Sequence, residues 1–168
     1  VAAVLVDGEE RDEIVADRDF TSGDDAERGE WAVEVVVNPS PFYGESGGQV
    51  GDRGFIWSDA ATLRVSDCQR PVDDLTVARA QLLGGHLAVG DTVWAGYDAR
   101  DRRRTRANHS ATHLLHGGLR SVVGDHVRQS GSLVAPRRLR FDYTHFSPLE
   151  AEQIQQIEDY VLSRTSPP

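Results

Sequence analysis

Methionine and lysine are both missing from this 168-residue sequence, and cysteine occurs once, as Cys68. Each gap excludes something. A single cysteine cannot form an internal disulfide, which makes a reducing, cytoplasmic setting the expectation. Without lysine there is no Gly-Lys-Ser/Thr loop to cradle a nucleotide triphosphate. All 18 basic residues are arginine, the pattern that a GC-rich genome's codon bias produces. A chain with no methionine that opens on Val1 is expected to be a piece of a longer protein. No apolar run approaches the ~18 residues of a membrane-crossing helix. The opening VAAVLVDGEERDE has no basic segment and turns acidic, so it does not read as a secretory signal. No G-x-S-x-G elbow, H-E-x-x-H helix or βαβ-framed glycine fingerprint is present.

What is present is a globular composition, 39% apolar and 27% charged, with a net charge of −9 that is unevenly spread. Residues 1–60 carry fifteen acids against four arginines, whereas residues 100–145 carry ten arginines against three acids. The basic stretch also contains the histidine-rich NHSATHLLH at 108–116. Local field rather than total charge steers an anionic partner, although a solvated basic face fits the same count.

Residues 1–100 read as strands. The runs WAVEVVV (31–37), GFIW (54–57), ATLRV (61–65), LTVARAQL (75–82) and DTVWAGYD (91–98) are separated by the turn clusters SGDD, NPSP, ESGG, GDRG and GGH. This spacing suggests a small barrel or sandwich, with residues 21–30 as an exposed acidic loop. From Asn108, a good N-cap, to about Val123 the pattern is helical, and Gly124 is a good stop. Two strands at 126–134 and 138–145 follow, and Pro148 opens a last helix. The fold class is therefore α+β: a small antiparallel β-barrel over residues 1–105, then a truncated α+β unit over 106–168.

On a helix at about 100° per residue, Ala111, Leu115, Gly118, Leu119 and Val122 share one side. His109, His113 and His116 share the other, with Arg120. Histidines four apart can ligate one metal ion from successive turns. A polar stripe fits the spacing equally well, and zinc needs at least one more protein ligand. Cys68, His86, His126 and His145 are the other candidates, and none has a paired-ligand spacing. In PFYGESGGQVGDRG (41–54) the glycines read as tight turns of the barrel.

Two segments in this order resemble alanyl-tRNA synthetases and their free-standing editing relatives. PFYGESGGQVGDRG matches that family's F-Y-x-E-S-G-G-Q-x-G-D stretch. RANHSATHLLHGGLRSVVGDHVRQSGSLVAPRRLRFDYTHF matches the start of its editing domain, where N-H-[ST]-A-T-H-L-L-H leads into Q-x-G-S-L-V and L-R-F-D-[FY]-[ST]-H strands. The resemblance covers about residues 30–160. It implies a barrel linking domain followed by the first part of a zinc-dependent editing domain. His109 and His113 would be zinc ligands, with the other two, from a C-x-x-x-H motif, expected downstream of this chain. Thr112 and Gln129 would belong to the editing pocket, which hydrolyses serine or glycine from mischarged alanine tRNA. Arg102, Arg103, Arg104, Arg106, Arg138 and Arg140 are the plausible tRNA phosphate contacts. ATP and magnesium would serve an aminoacylation core that lies outside this sequence. A free-standing trans-editing deacylase is the alternative. A non-catalytic RNA-binding module is the alternative of another class.

Overall fold

The computed structural model describes residues 1–15 and 33–165, and it is α+β, as its sequence pattern predicts. The acidic stretch 21–30 lies outside the described residues. The chain divides into two compact units, one comprising Val1–Ser46 and Val50–Asp101, the other Gly47–Gln49 and Arg102–Pro168.

The first unit is a mainly antiparallel sheet of eight strands. They are β1 (Ala3–Val6), β2 (Glu9–Glu10), β3 (Glu13–Val15), β4 (Val33–Val36), β5 (Gly54–Trp57), β6 (Ala61–Val72), β7 (Leu75–Ala88) and β8 (Trp94–Tyr97). Their order is β2-β1-β4-β7-β6-β5-β8. β7 also pairs through its far end with β3, Ile14 facing Leu87, and this second pairing curls the sheet into a barrel-like form. Period-two alternation explains which side chains face in. Ala61, Leu63 and Val65 are buried while Thr62, Arg64 and Ser66 are exposed. Val4, Ile14, Val33, Val35, Ile56, Leu63 and Leu87 fill the centre, each contributing about 1.5–3 kcal/mol by leaving water. Cys68 is fully buried among them.

β6 and β7 form a hairpin closed by Asp73 and Asp74, with Val72 opposite Leu75. Asp74 takes φ 65°, a conformation that aspartate tolerates better than most residues. The Gly84-Gly85-His86 cluster is not a turn between strands. β7 runs through it, and His86 N–H donates to Ala60 O at 2.9 Å. Glycine punctuation marks here a bend at which β7 changes partner from β6 to β3.

The helix α1 spans Ala99–Val123, so it starts nine residues before Asn108. The N-cap is Asp98, whose Oδ1 accepts from the backbone N–H groups of Arg100 and Asp101, both at 2.9 Å. Nothing in the arginine run breaks a helix, because arginine is a strong helix former. Asp98→Ala is expected to cost about 1 kcal/mol, read as a lower urea midpoint; an unchanged midpoint would show that the cap is dispensable. The helix stops before Gly124, as its sequence predicts.

In the second unit, β9 (Gln129–Ala135) and β10 (Arg138–Tyr143) form an antiparallel hairpin, followed by α2 (Ala151–Thr165). Leu119, Val127 and Ile157 are its buried centre, with Leu115, Val122, Phe141, Tyr143 and Leu149 packed around them. Ile157 and Tyr160 of α2 lie directly against Gly117 and Gly118 of α1.

Candidate functional site

The site grows from the inward stripe of α1. Thr105, Thr112 and Leu119 are buried, and Asn108, His109, Leu115, His116, Val122 and Val123 are partly so. These positions recur every three or four residues, as one helix face requires. The C-terminal half of the face is mostly apolar and reaches the small core. The N-terminal half is Thr105, Asn108, His109 and Thr112, so a packed helix turns polar groups inward there. Such groups need partners.

Asn108, inside the helix, donates from Nδ2 to Ala135 O at 2.7 Å and ties α1 to the end of β9. Thr112 Oγ1 donates to Asn108 O at 2.8 Å, one turn back. His109 Nδ1 lies 2.7 Å from Oε1 of Gln49, a residue sixty positions earlier and only 8% exposed. With the amide oxygen, which only accepts, facing the ring, this contact is a hydrogen bond in the tautomer that carries its proton on Nδ1. The His113 ring, exposed, has its centroid 4.9 Å from that of His109.

His116 does not continue the exposed stripe. Its ring packs on Phe141 with centroids 5.1 Å apart, and its Nε2 is buried without a hydrogen-bond partner. The physical reason is its position one turn past Thr112 and next to Leu115, at the margin of the buried face.

Gln49 is held by its backbone. Gln49 and Val134 form a parallel bridge, and Val134 N–H donates to Gly48 O at 2.7 Å. A Cβ on Gly48 would overlap the Ser132 Oγ and carbonyl, so glycine lets this segment lie against β9. The Gly47-Gly48 pair does have the turn-like positive φ that its sequence suggests, at 59° and 83°. Its surroundings, however, are those of the second unit. Gln129, exposed on β9, donates from Nε2 to Ser132 Oγ at 3.0 Å and makes no hydrogen bond to His109 or His113.

Gln49, Arg103, Arg106, Ala107, His109 and Ser110 line an open cleft of about 510 Å³. Arg103, Arg104 and Arg106 are exposed on the first turns of α1, and Arg102 is half-buried. Arg138 and Arg140 are exposed on β10, where Arg140 pairs with Asp142 at 3.1 Å. Among the described residues no three His, Cys, Asp or Glu side chains converge on one point. The other ligand candidates lie elsewhere: Cys68 in the barrel core, His86 exposed on β7, and His126 bonded to His145 at 2.9 Å.

A family model described as tRNA synthetases class II (A) matches residues 9–101, more than half of the chain. The chain belongs to this synthetase family. Within it, the chain is similar to the alanine–tRNA ligase of Myxococcus xanthus, 53% identical over 131 residues that make up 77% of this chain and 15% of that protein. It is 48% identical to the alanine–tRNA ligase of Nitrobacter winogradskyi over 95% of this chain and 16% of the relative. A third, from Anaeromyxobacter sp., is 54% identical over 75% of the chain and 14% of the relative. The chain thus spans about one-seventh of the length of the curated relatives it matches.

In this class II (A) chain the sequence pattern marks His109, Thr112, His113 and Gln129, but not Gln49, Ser132 or the tie that Asn108 makes. The only available signal for Gln49 was its place in F-Y-x-E-S-G-G-Q. Among the described residues no helix is long and apolar enough to cross a membrane.

Proposed function

We propose that this chain is part of an alanine–tRNA ligase, and that its second unit belongs to the portion that hydrolyses Ser- or Gly-tRNA(Ala). The observation that carries the proposal is the His109–His113 pair, with Gln49 holding one ring, beside a cleft lined by arginines. The donor set fits zinc: two imidazoles one turn apart, one with its Nδ1 bonded to Gln49 Oε1 and its Nε2 without a hydrogen-bond partner. Two further ligands are needed, and the resemblance supplies them as a cysteine and a histidine beyond residue 168. Bound there, zinc would supply a Lewis-acidic centre able to hold the substrate's amino group or polarise water or the ester carbonyl.

The chain's own residues supply the rest. Thr112 spends its proton on Asn108 O, which leaves its oxygen to accept from a serine hydroxyl. A site that hydrogen-bonds a substrate hydroxyl discriminates strongly against the analogue lacking it, here alanine. Gln129 offers an amide that can orient water or the ester carbonyl. Arg102, Arg103, Arg104, Arg106, Arg138 and Arg140 hold the phosphates of the acceptor end. ATP and magnesium act at the aminoacylation core.

The test is deacylation of Ser-tRNA(Ala) and Ala-tRNA(Ala) by the complete gene product, with and without a zinc chelator. Chelator-sensitive hydrolysis of the serine ester, with the alanine ester spared, is expected. Tight tRNA binding without hydrolysis would favour a non-catalytic RNA-binding module. Replacing Arg103 and Arg106 by alanine is expected to weaken tRNA binding and lower the salt slope by roughly 1–2, about one phosphate contact each. Fluorescence anisotropy at several salt concentrations reads that slope, and an unchanged slope would remove these two arginines from the interface.

A further inference from the structure

We propose that Gln49 is a positioning residue for His109: its side-chain carbonyl holds the Nδ1 proton and presents Nε2 as the nitrogen available to a metal. The inference rests on the metal reading given above, but its first half stands on geometry alone. Gln49 is a polar side chain 8% exposed, and its Oε1 is 2.7 Å from Nδ1. Free neutral imidazole is not confined to one tautomer; a partner that can only accept selects the form with the proton facing it. The backbone that carries the amide is itself held, because Gln49 bridges Val134 and Gly48 O accepts from Val134 N–H. His109 is fixed in turn by α1, which Asn108 ties to Ala135 O one residue before it. Both partners of the 2.7 Å bond therefore sit on hydrogen-bonded backbone, and the ring has little freedom to rotate. A ligand ring held in this way, by an acceptor on the nitrogen that does not bind, is the arrangement that tunes metal sites.

Two substitutions separate this role from simple packing. Gln49→Leu keeps the volume and removes the acceptor. Gln49→Glu keeps an acceptor at the same reach. If Gln49 only filled space, leucine would serve and a buried carboxylate would not. If it sets the tautomer, glutamate serves and leucine does not.

The experiment records long-range ¹H–¹⁵N correlations of the histidine rings in the metal-free chain under mildly alkaline conditions, and, on the complete gene product, titrates zinc against a chromophoric chelator. Wild type and Gln49→Glu are expected to carry the His109 proton on Nδ1. Gln49→Leu is expected to shift it toward Nε2 and to weaken zinc binding about 10–100-fold. A wild-type His109 protonated on Nε2, or a Gln49→Leu ring with unchanged tautomer, overturns the inference. A Gln49-dependent tautomer together with a complete gene product that takes up no zinc overturns the metal reading of the site instead, and leaves the Gln49–His109 assignment standing.

Discussion

Replacing His109 and His113 together by alanine is expected to reduce hydrolysis of Ser-tRNA(Ala) by the complete gene product by at least ~10³-fold, while alanine attachment is retained. A catalytic metal contributes several kcal/mol of charge stabilisation, and about 4 kcal/mol corresponds to three orders of magnitude. Both rings are lost from a shell for which the described residues supply no third candidate nearby. Fold loss is a small concern: His113 is exposed and His109 half-buried, and neither belongs to the Leu119–Val127–Ile157 core. Single-turnover deacylation measures the effect, and Ser-tRNA(Ala) accumulation in the aminoacylation assay gives a second readout. A variant that still clears the serine ester at the wild-type rate would remove the histidines from the chemistry.

Adjacent glycines are expected to differ sharply. Gly48→Ala places a Cβ against the Ser132 side chain and backbone at φ 83°, so strand pairing and conformation both suffer. Together these amount to about 3 kcal/mol or more, enough to detach Gly47–Gln49 from β9 and lose the Gln49–His109 bond. Gly47→Ala meets no atom within 4 Å and strains only φ 59°, for about 1 kcal/mol. Thermal unfolding, with the His109 ring resonances as a local probe, distinguishes the two. Equal destabilisation by both substitutions would show that the close approach to Ser132 is unimportant.

The contrast bears on what a sequence can disclose. β5 occupies Gly54–Trp57, the run GFIW that its β-rich residues and flanking turn cluster mark as a strand, with Gly54 and Ile56 buried and Phe55 and Trp57 exposed. Gly124 ends α1 for an equally local reason. The start of α1 was not legible: Asn108 is a good cap by type, but its side chain is engaged by Ala135 O, twenty-seven residues away. Helical-wheel arithmetic puts His116 on the polar side, whereas the buried face is wide enough to take in its ring against Phe141. Gln49 is the extreme case. Its partner is sixty residues away, and periodicity carries no information about a contact of that kind. Local rules reach the elements, and long-range polar contacts assemble the site.

The most direct measurement is zinc K-edge absorption spectroscopy on the complete gene product and its His109→Ala/His113→Ala variant. A mixed nitrogen–sulfur shell with Zn–N distances of about 2.0–2.1 Å is expected, two imidazoles of which disappear in the variant. An imidazole shell identical in both proteins would contradict this.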